Sequence, residues 1–201
     1  MSSPRTTWPH VRVALRAVLV LTLLLGVGYP LLVTGLGRLV PGRADGSLVT
    51  GPDGDVVGSA LIGQAFTGVD GSPLPQYLQP RPSAAGDGYD AAASSGSNLG
   101  PENPDLVAAV EERREAVAAF EGVDPAAVPP DAVTASASGL DPHISPEYAE
   151  LQVPRLARER GLTPDEVRRV VADATTGPDL GFLGQAAVDV LQVNVALDRL
   201  G

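Results

Sequence analysis

The most marked feature of the hydrophobic pattern is an uncharged run of 21 residues, from Ala17 to Gly37. A helix needs about 20 apolar residues to cross a bilayer. The run is apolar all round and flanked by arginines, which is not typical of a buried core helix. It is also longer than the roughly 7–15 residues of a signal-peptide core. The pattern predicts a retained transmembrane helix over residues 17–37, with a cleaved signal peptide as the alternative.

This run contains residues that favour contact with other membrane helices. Pro30 frees a backbone carbonyl, which neighbouring protein must then accommodate. Gly26, Gly28 and Gly35 allow close helix approach because they lack bulky side chains. We therefore expect these three glycines to lie at an interface with a partner helix.

The segments after the run alternate between turn formers and one apolar stretch. Residues 38–55 are rich in Gly, Pro and Asp and predict a tether. Residues 56–66 mix β-branched and small residues and predict a strand. Residues 68–103 are rich in Gly, Ser and Pro, and a structureless stretch of this length is usually functional or disordered. Because it carries Tyr and Arg residues, we expect an ordered loop.

Three helices are predicted in the body by their start signals. Asn103, Ser145 and Thr163 are good N-cap residues, and each is followed by a proline suited to the first helical position. Glu166 completes a capping box with Thr163. The second helix is expected to stop at Gly161.

Two further segments read as strands. Residues 131–137 can form a short one, and residues 188–197 alternate between apolar and other positions with the period of a strand. Together these elements predict an α+β domain over residues 56–201, in which a small sheet is packed by about three helices.

Composition excludes several functional classes. The 201 residues fit one domain, and 44% hydrophobic content suffices for a core. Cysteine is absent, which excludes disulfides, thiol catalysis and cysteine zinc sites. Lysine is also absent, so neither a phosphate-binding Walker lysine nor an Asp-Lys-Thr-Gly phosphorylation motif can exist. The net charge of −10 argues against nucleic acid as a partner.

The charge is unevenly distributed along the chain. Residues 1–44 hold five arginines and no acid, whereas residues 45–201 hold nine arginines and 24 acidic residues. Three arginines precede the uncharged run and two follow it closely, which favours an N-terminus inside the cell. We expect residues 1–16 to be cytoplasmic and the body to be extracytoplasmic.

Chemistry could be located near His143. With Asp141 and a serine it offers the side chains of a hydrolase triad, although no Gly-x-Ser-x-Gly elbow is present. The alternative is a structural histidine in the turn before a helix. Only two histidines exist, so no metal site is predicted. Ser136, Ser138 and Gly139 form a Gly/Ser loop of the kind that can bind an anion.

The long loop supplies candidate contact residues for a partner. Tyr77, Arg81 and Tyr89 belong to the residue types that most often dominate interfaces. Arg81 could pair with a carboxylate of a partner, or it could clamp the loop within the domain. Both possibilities stay open at this stage.

Five motifs follow one another along the body: Gly58-Ser59-Ala60-Leu61-Ile62-Gly63-Gln64-Ala65-Phe66, Arg81-Pro82-Ser83-Ala84, Ser95-Gly96-Ser97-Asn98-Leu99-Gly100-Pro101, Ser138-Gly139-Leu140-Asp141-Pro142-His143-Ile144-Ser145-Pro146 and Asn194-x-Ala196-Leu197-Asp198. Together with the single N-terminal span, they resemble the C subunit of the Kdp potassium-transporting ATPase over essentially the whole chain. One departure is Ala186-Ala187-Val188-Asp189, where the family usually has Pro-Arg-Val-Asn.

The resemblance implies an accessory, non-hydrolytic subunit of a high-affinity potassium uptake pump in a prokaryotic plasma membrane. Its implied partners are a channel-like potassium-translocating subunit and a P-type ATPase subunit. The family is described as a catalytic chaperone that raises the ATP affinity of the hydrolytic subunit, and ATP binding is assigned to it. Candidate nucleotide contacts are Ser136, Ser138 and Gly139. ATP is cytoplasmic, so an outside body would act on its affinity indirectly. The alternatives are an anchored extracytoplasmic hydrolase and a stand-alone anchored binding module.

Overall fold

The computed structural model describes residues 4–200, so the first three residues of the predicted cytoplasmic N-terminus lie outside the described residues. The chain divides into two compact units between residues 47 and 48. The N-terminal unit is a continuous helix followed by one short turn of helix. Its elements are α1 (Pro4–Leu21), a π-helical segment (Thr22–Gly28), α2 (Tyr29–Gly37) and α3 (Pro41–Ala44).

The apolar helix is longer than the sequence predicts. Residues Trp8–Gly37 form one helix that is long and apolar enough to cross a membrane, whereas the predicted span starts at Ala17. The π-helical segment ends two residues before Pro30, and the Tyr29 amide donates to the carbonyl of Leu24, five residues back. Pro30 has no amide to donate, and the wider π turn is one way in which a helix adjusts to that loss.

The body contains two small sheets. Strands β1 (Leu48–Thr50) and β2 (Val56–Ser59) form an antiparallel pair with a register shift between Val49 and Thr50. Residues 48–55, which the sequence places in a tether, therefore form β1 and the turn to β2. The second sheet has the order β3-β5-β4 and is antiparallel throughout, with β3 at His143–Ile144, β4 at Thr175–Thr176 and β5 at Ala187–Asp189.

The three predicted helices begin where their N-cap residues indicate, and the second also ends as predicted. Helix α4 (Pro104–Glu121) is capped by Asn103, α6 (Pro146–Arg160) by Ser145, and α7 (Pro164–Asp173) by a complete capping box. Helix α6 ends at Gly161, which has a φ of 65°. This left-handed conformation strongly favours glycine. A 3-10 turn (Pro125–Ala127) and the short α5 (Pro130–Val133) connect α4 to the second sheet.

The strand predicted over residues 188–197 is wrong beyond its first two residues. After β5 the chain turns into helix α8 (Val190–Asp198), whose start is capped by Asp189 through the Gln192 amide at 2.9 Å. Apolar side chains on most faces of α8 are buried, so the order of apolar residues along the sequence does not distinguish the period of a helix from that of a strand. The body therefore has four helices of nine or more residues among those described.

Two other predicted strands are shorter or absent. In residues 56–66 only β2 is a strand, because the chain then crosses the loop at residues 139–141. There the Gly63 amide donates to Leu140 at 2.8 Å. Residues 131–137 form no strand: Pro130 starts α5, and the Thr134 amide closes its turn on the Pro130 carbonyl.

One core joins these elements. It lies between α6, α7, α8 and β5, with α4 and the long loop covering it. Helices α6 and α8 each supply five buried apolar side chains, more than any other element among the described residues. Core side chains include Leu78, Ile144, Ala149, Val153, Leu156, Val167, Val188, Leu191, Val193 and Leu197. The α+β architecture predicted from the sequence is confirmed.

Candidate functional site

The long loop is held against residues 134–141 by an arginine clamp, formed by Arg81, Thr134 and Asp141. Arg81 donates from Nη1 to Asp141 Oδ2 at 3.0 Å and from Nη2 to the Thr134 carbonyl at 3.2 Å. Arg81 is therefore already paired with a carboxylate inside the body. Its role at a partner interface stays a prediction, and the clamp gives it a structural role as well.

Tyr89 fixes the same part of the loop. Its φ is +56°, a conformation that is uncommon for a bulky residue. Two hydrogen bonds hold it there: the Tyr89 amide donates to Ser83 Oγ at 2.8 Å, and its hydroxyl donates to the Arg81 carbonyl at 2.7 Å. Burial raises the pKa of Tyr89, so the hydroxyl keeps its proton and remains the donor to the Arg81 carbonyl.

The Gly/Ser loop is a tight turn against the same segment. The Gly139 amide donates to the Ser136 carbonyl at 3.3 Å, and the Leu140 amide donates to Ser138 Oγ at 3.1 Å. Two amides that could have faced an anion are thus used inside the turn. Gly139 has a φ of +67°, and a Cβ there would lie 2.6 Å from the Ser95 carbonyl oxygen. Nucleotide contact by Ser136, Ser138 and Gly139 stays a prediction.

Among the described residues, the His143 side chain forms no hydrogen bond with a serine hydroxyl. Its Nδ1 lies 3.4 Å from Asp141 Oδ1, and the side chain is 43% exposed. The neighbouring Ser145 hydroxyl donates to Asp131 Oδ1 at 2.9 Å instead. The side chains considered for a hydrolase triad are therefore close in sequence but are not connected through a hydroxyl to the histidine.

A buried brace that the sequence did not reveal holds residues 75–79. Gln152 accepts from the Gln79 amide at 2.7 Å and donates to the Gln79 carbonyl at 3.1 Å. Asn194 does the same with Leu78, at 2.7 and 3.0 Å. The two side-chain amides thus pair with the loop backbone as a neighbouring strand would.

Arg155 completes the brace with a buried ion pair. Its Nε lies 3.0 Å from Glu121 Oε2, and both side chains are 1% exposed. Arg155 also donates to the carbonyls of Pro75 and Tyr77, and its guanidinium stacks 4.6 Å above the Phe120 ring. Burial raises the pKa of Glu121, while the hydrogen bond from Arg155 opposes that rise.

The remaining interface candidates lie in different surroundings. Tyr77 packs 5.4 Å from Phe66, and the Arg160 guanidinium lies 5.1 Å from its ring. Gly26, Gly28 and Gly35 belong to the N-terminal unit, where their helix is exposed. The structure therefore brings Arg81 and Tyr89 next to the loop that holds Ser136, Ser138 and Gly139, but not Tyr77 or the three glycines of the apolar helix. The interface roles of Tyr77, Arg81, Tyr89 and these three glycines stay predictions.

A cleft opens beside the clamp, between α4, the start of α6 and the long loop. Its volume is about 270 Å³, and Phe66, Tyr89 and Tyr148 form its aromatic wall. Arg113 and Val117 line it from α4. Sequence reasoning missed Arg113 and Tyr148, although their positions on the predicted helices could be read from the caps.

Comparison with known proteins identifies relatives of the whole chain. A family model described as the c chain of the K⁺-transporting ATPase matches residues 11–199. The potassium-transporting ATPase KdpC subunit of Kineococcus radiotolerans is 58% identical over 188 residues, which cover 94% of this chain and 92% of the relative. The subunit of Beijerinckia indica is 55% identical over 190 residues, which cover 94% of this chain and 93% of the relative. The subunit of Mycobacterium tuberculosis is 53% identical over 190 residues, which cover 93% of this chain and 96% of the relative. The chain therefore belongs to the KdpC family, the c chains of the K⁺-transporting ATPase.

Proposed function

We propose that this chain is the accessory subunit of a potassium-transporting ATPase, that it performs no chemistry of its own, and that it raises the ATP affinity of the hydrolytic subunit through contacts with its partners. Near-full-length identity of 51–58% to KdpC subunits is the observation that carries the assignment to the pump. The implied partners are the channel-like potassium-translocating subunit and the P-type ATPase subunit.

The disposition of polar side chains supports a non-catalytic role. Arg81, Arg155 and Arg160 each form an ion pair inside the body, with Asp141, Glu121 and Asp198. The amides of the Gly/Ser loop close their own turn. These groups stabilise one conformation of the body, which fits a subunit that recognises partners better than one that turns over a substrate.

An effect on ATP affinity then has to be indirect. The arginine distribution and the candidate span favour a body outside the cell, whereas ATP is cytoplasmic. A subunit outside can change ATP affinity only if it binds one conformation of its partner more tightly than another. The proposed location is the plasma membrane of a prokaryote, with one span and the N-terminus inside.

Purification in mild detergent tests the proposed assembly. A tagged full chain is expected to bring along two larger membrane subunits in a fixed ratio, as measured by the mass of the intact complex. A chain that purifies alone after gentle solubilisation of its own host membrane would argue for a stand-alone module.

Labelling of single cysteines tests the proposed orientation, because the natural chain has none. Ser97 lies on the exposed surface of the long loop, and Ser97→Cys is expected to react with a membrane-impermeant maleimide in intact cells. Ser3→Cys serves as the matched control and should react only after the membrane is opened. The opposite pattern would place the body in the cytoplasm.

A further inference from the structure

The cleft beside the arginine clamp has an apolar wall and a polar end. Phe66, Tyr89 and Val117 supply apolar surface, while Arg113 and Tyr148 line the same cleft. Its volume of about 270 Å³ is just below the roughly 300–1,000 Å³ typical of sites for free small molecules. This volume suits one or two side chains of a docked segment.

The Tyr148 hydroxyl is available inside this cleft. The residue is only 3% exposed, yet its hydroxyl makes no hydrogen bond to any residue that the structure describes. Since no fully enclosed side-chain polar atom in residues 4–200 lacks a partner, the hydroxyl keeps some exposed surface, and Tyr148 is one of the residues that line the cleft. Leaving a largely buried hydroxyl without a protein partner is unfavourable unless water or a ligand satisfies it. Burial raises the pKa of Tyr148, so the group presents itself as a neutral donor.

Arg113 adds an unneutralised positive charge at the same place. Its Nη1 donates to the Val133 carbonyl at 3.2 Å, and among the described residues no acidic side chain forms an ion pair with it. Arg81, the other arginine at this cleft, is neutralised by Asp141. The neighbouring Arg114 is also half-buried and forms no ion pair among the described residues, but only Arg113 lines the cleft. Two residues thus line one largely apolar cleft with donor groups from which no carboxylate of the described chain accepts, which favours an acceptor with negative charge.

We propose that this cleft receives a short segment of a partner subunit of the pump, with an apolar side chain against Phe66 and Val117 and a neighbouring carboxylate on Arg113 and Tyr148. This inference rests on the proposed function, because it takes its occupant from the same complex. A guanidinium and a phenol hydroxyl are both good donors to a carboxylate, and the apolar wall excludes water from that contact.

Two substitutions separate docking from folding. Tyr148→Phe removes one oxygen that has no partner within the described chain, so the stability of the isolated full chain should not fall. In the complex the same change removes a hydrogen bond to a charged group, which should weaken association about ten-fold or more. Arg113→Gln should weaken association at least as much. Arg114→Gln is the matched control, since Arg114 is the next residue on α4 and does not line the cleft.

A photocrosslinker identifies the occupant directly. In the purified complex, p-azidophenylalanine replaces Ala116, which lies at the rim of the cleft, and replaces Ala119 as a control outside it. The Ala116 position should give a covalent product with a larger subunit, and the attached peptide should hold an Asp or Glu beside an apolar residue. The Ala119 position should give much less of it.

The outcomes distinguish this inference from the function on which it rests. If the wild-type complex forms and both cleft variants assemble like wild type, the docking proposal is wrong while the accessory role stands. Crosslinks at Ala116 only to lipid, or to a peptide without an acidic residue, also overturn it. If no partner accompanies the wild-type chain, the proposed function fails and the docking proposal fails with it.

Discussion

Replacing Arg155 with methionine should destabilise the body strongly, because the change leaves Glu121 charged and buried. Arg155→Met preserves much of the volume and removes every donor of the guanidinium. Both members of the pair are 1% exposed, so water cannot compensate the remaining carboxylate. Breaking a buried pair in this way typically costs about 3–5 kcal/mol. The loss of donors to the Pro75 and Tyr77 carbonyls places the expected cost in the upper part of that range.

The deficit should depend on pH in a defined direction. The pKa of Glu121 is raised by burial, and in the variant it rises further because the Arg155 charge and hydrogen bond no longer oppose that effect. A carboxyl whose pKa is higher in the folded state stabilises the fold below its unfolded pKa and loses this contribution as pH rises through the folded pKa. The destabilisation by Arg155→Met should therefore be largest near neutral pH and shrink towards about pH 4.5.

The difference in the free energy of unfolding between wild type and variant is measured by urea unfolding of the full chain in mild detergent. Far-ultraviolet circular dichroism monitors the transition. With a slope of about 2 kcal/mol per molar urea, a loss of about 4 kcal/mol lowers the midpoint by about 2 M. The double variant Glu121→Gln with Arg155→Met removes the charge and should recover part of the loss. A deficit below about 1 kcal/mol, or one that is equal near pH 5 and pH 8, would refute the reasoning about the buried charge.

Three smaller changes test other parts of the fold. Gly139→Ala should lower the free energy of unfolding by about 1–3 kcal/mol in the same urea assay, because it forces a φ of +67° and a clash with the Ser95 carbonyl; wild-type stability would contradict the close approach. Thr163→Ala removes the cap of α7 and should cost about 1 kcal/mol, while an unchanged midpoint would show that the capping box contributes nothing. Asn194→Leu leaves the Leu78 backbone groups unpaired, so limited proteolysis of the long loop should be faster than in wild type. Equal cleavage rates would show that Asn194 does not anchor the loop.

The parts of the fold that depend on local chemistry could be predicted from the sequence. The starts of α4, α6 and α7 follow from Asn103, Ser145 and Thr163, since an N-cap acts on amides two or three residues away. The hydrophobic pattern does not reveal helix α8, because its buried residues lie on most sides of the helix and give no helical period. Asp189 had the chemistry of an N-cap, and that signal could have corrected the assignment.

The brace and the cleft could not be predicted in the same way. Asn194 and Leu78 are 116 positions apart, and Gln152 and Gln79 are 73 apart. No pattern along the chain indicates which polar side chain pairs with a loop backbone at that separation. Arg81 shows the same limit: the sequence offered a clamp or a partner contact, and only the position of Asp141 established the clamp.

The most direct test of the accessory role is the apparent KM for ATP of the potassium-stimulated ATPase, measured with and without this chain. We expect removal of the chain from the purified complex to raise that KM about five-fold or more, as a coupling of 1–3 kcal/mol would produce. Adding back the full chain should restore the original KM, and the chain alone should hydrolyse no ATP. An unchanged KM and rate without the chain, or hydrolysis by the chain alone, would contradict the account.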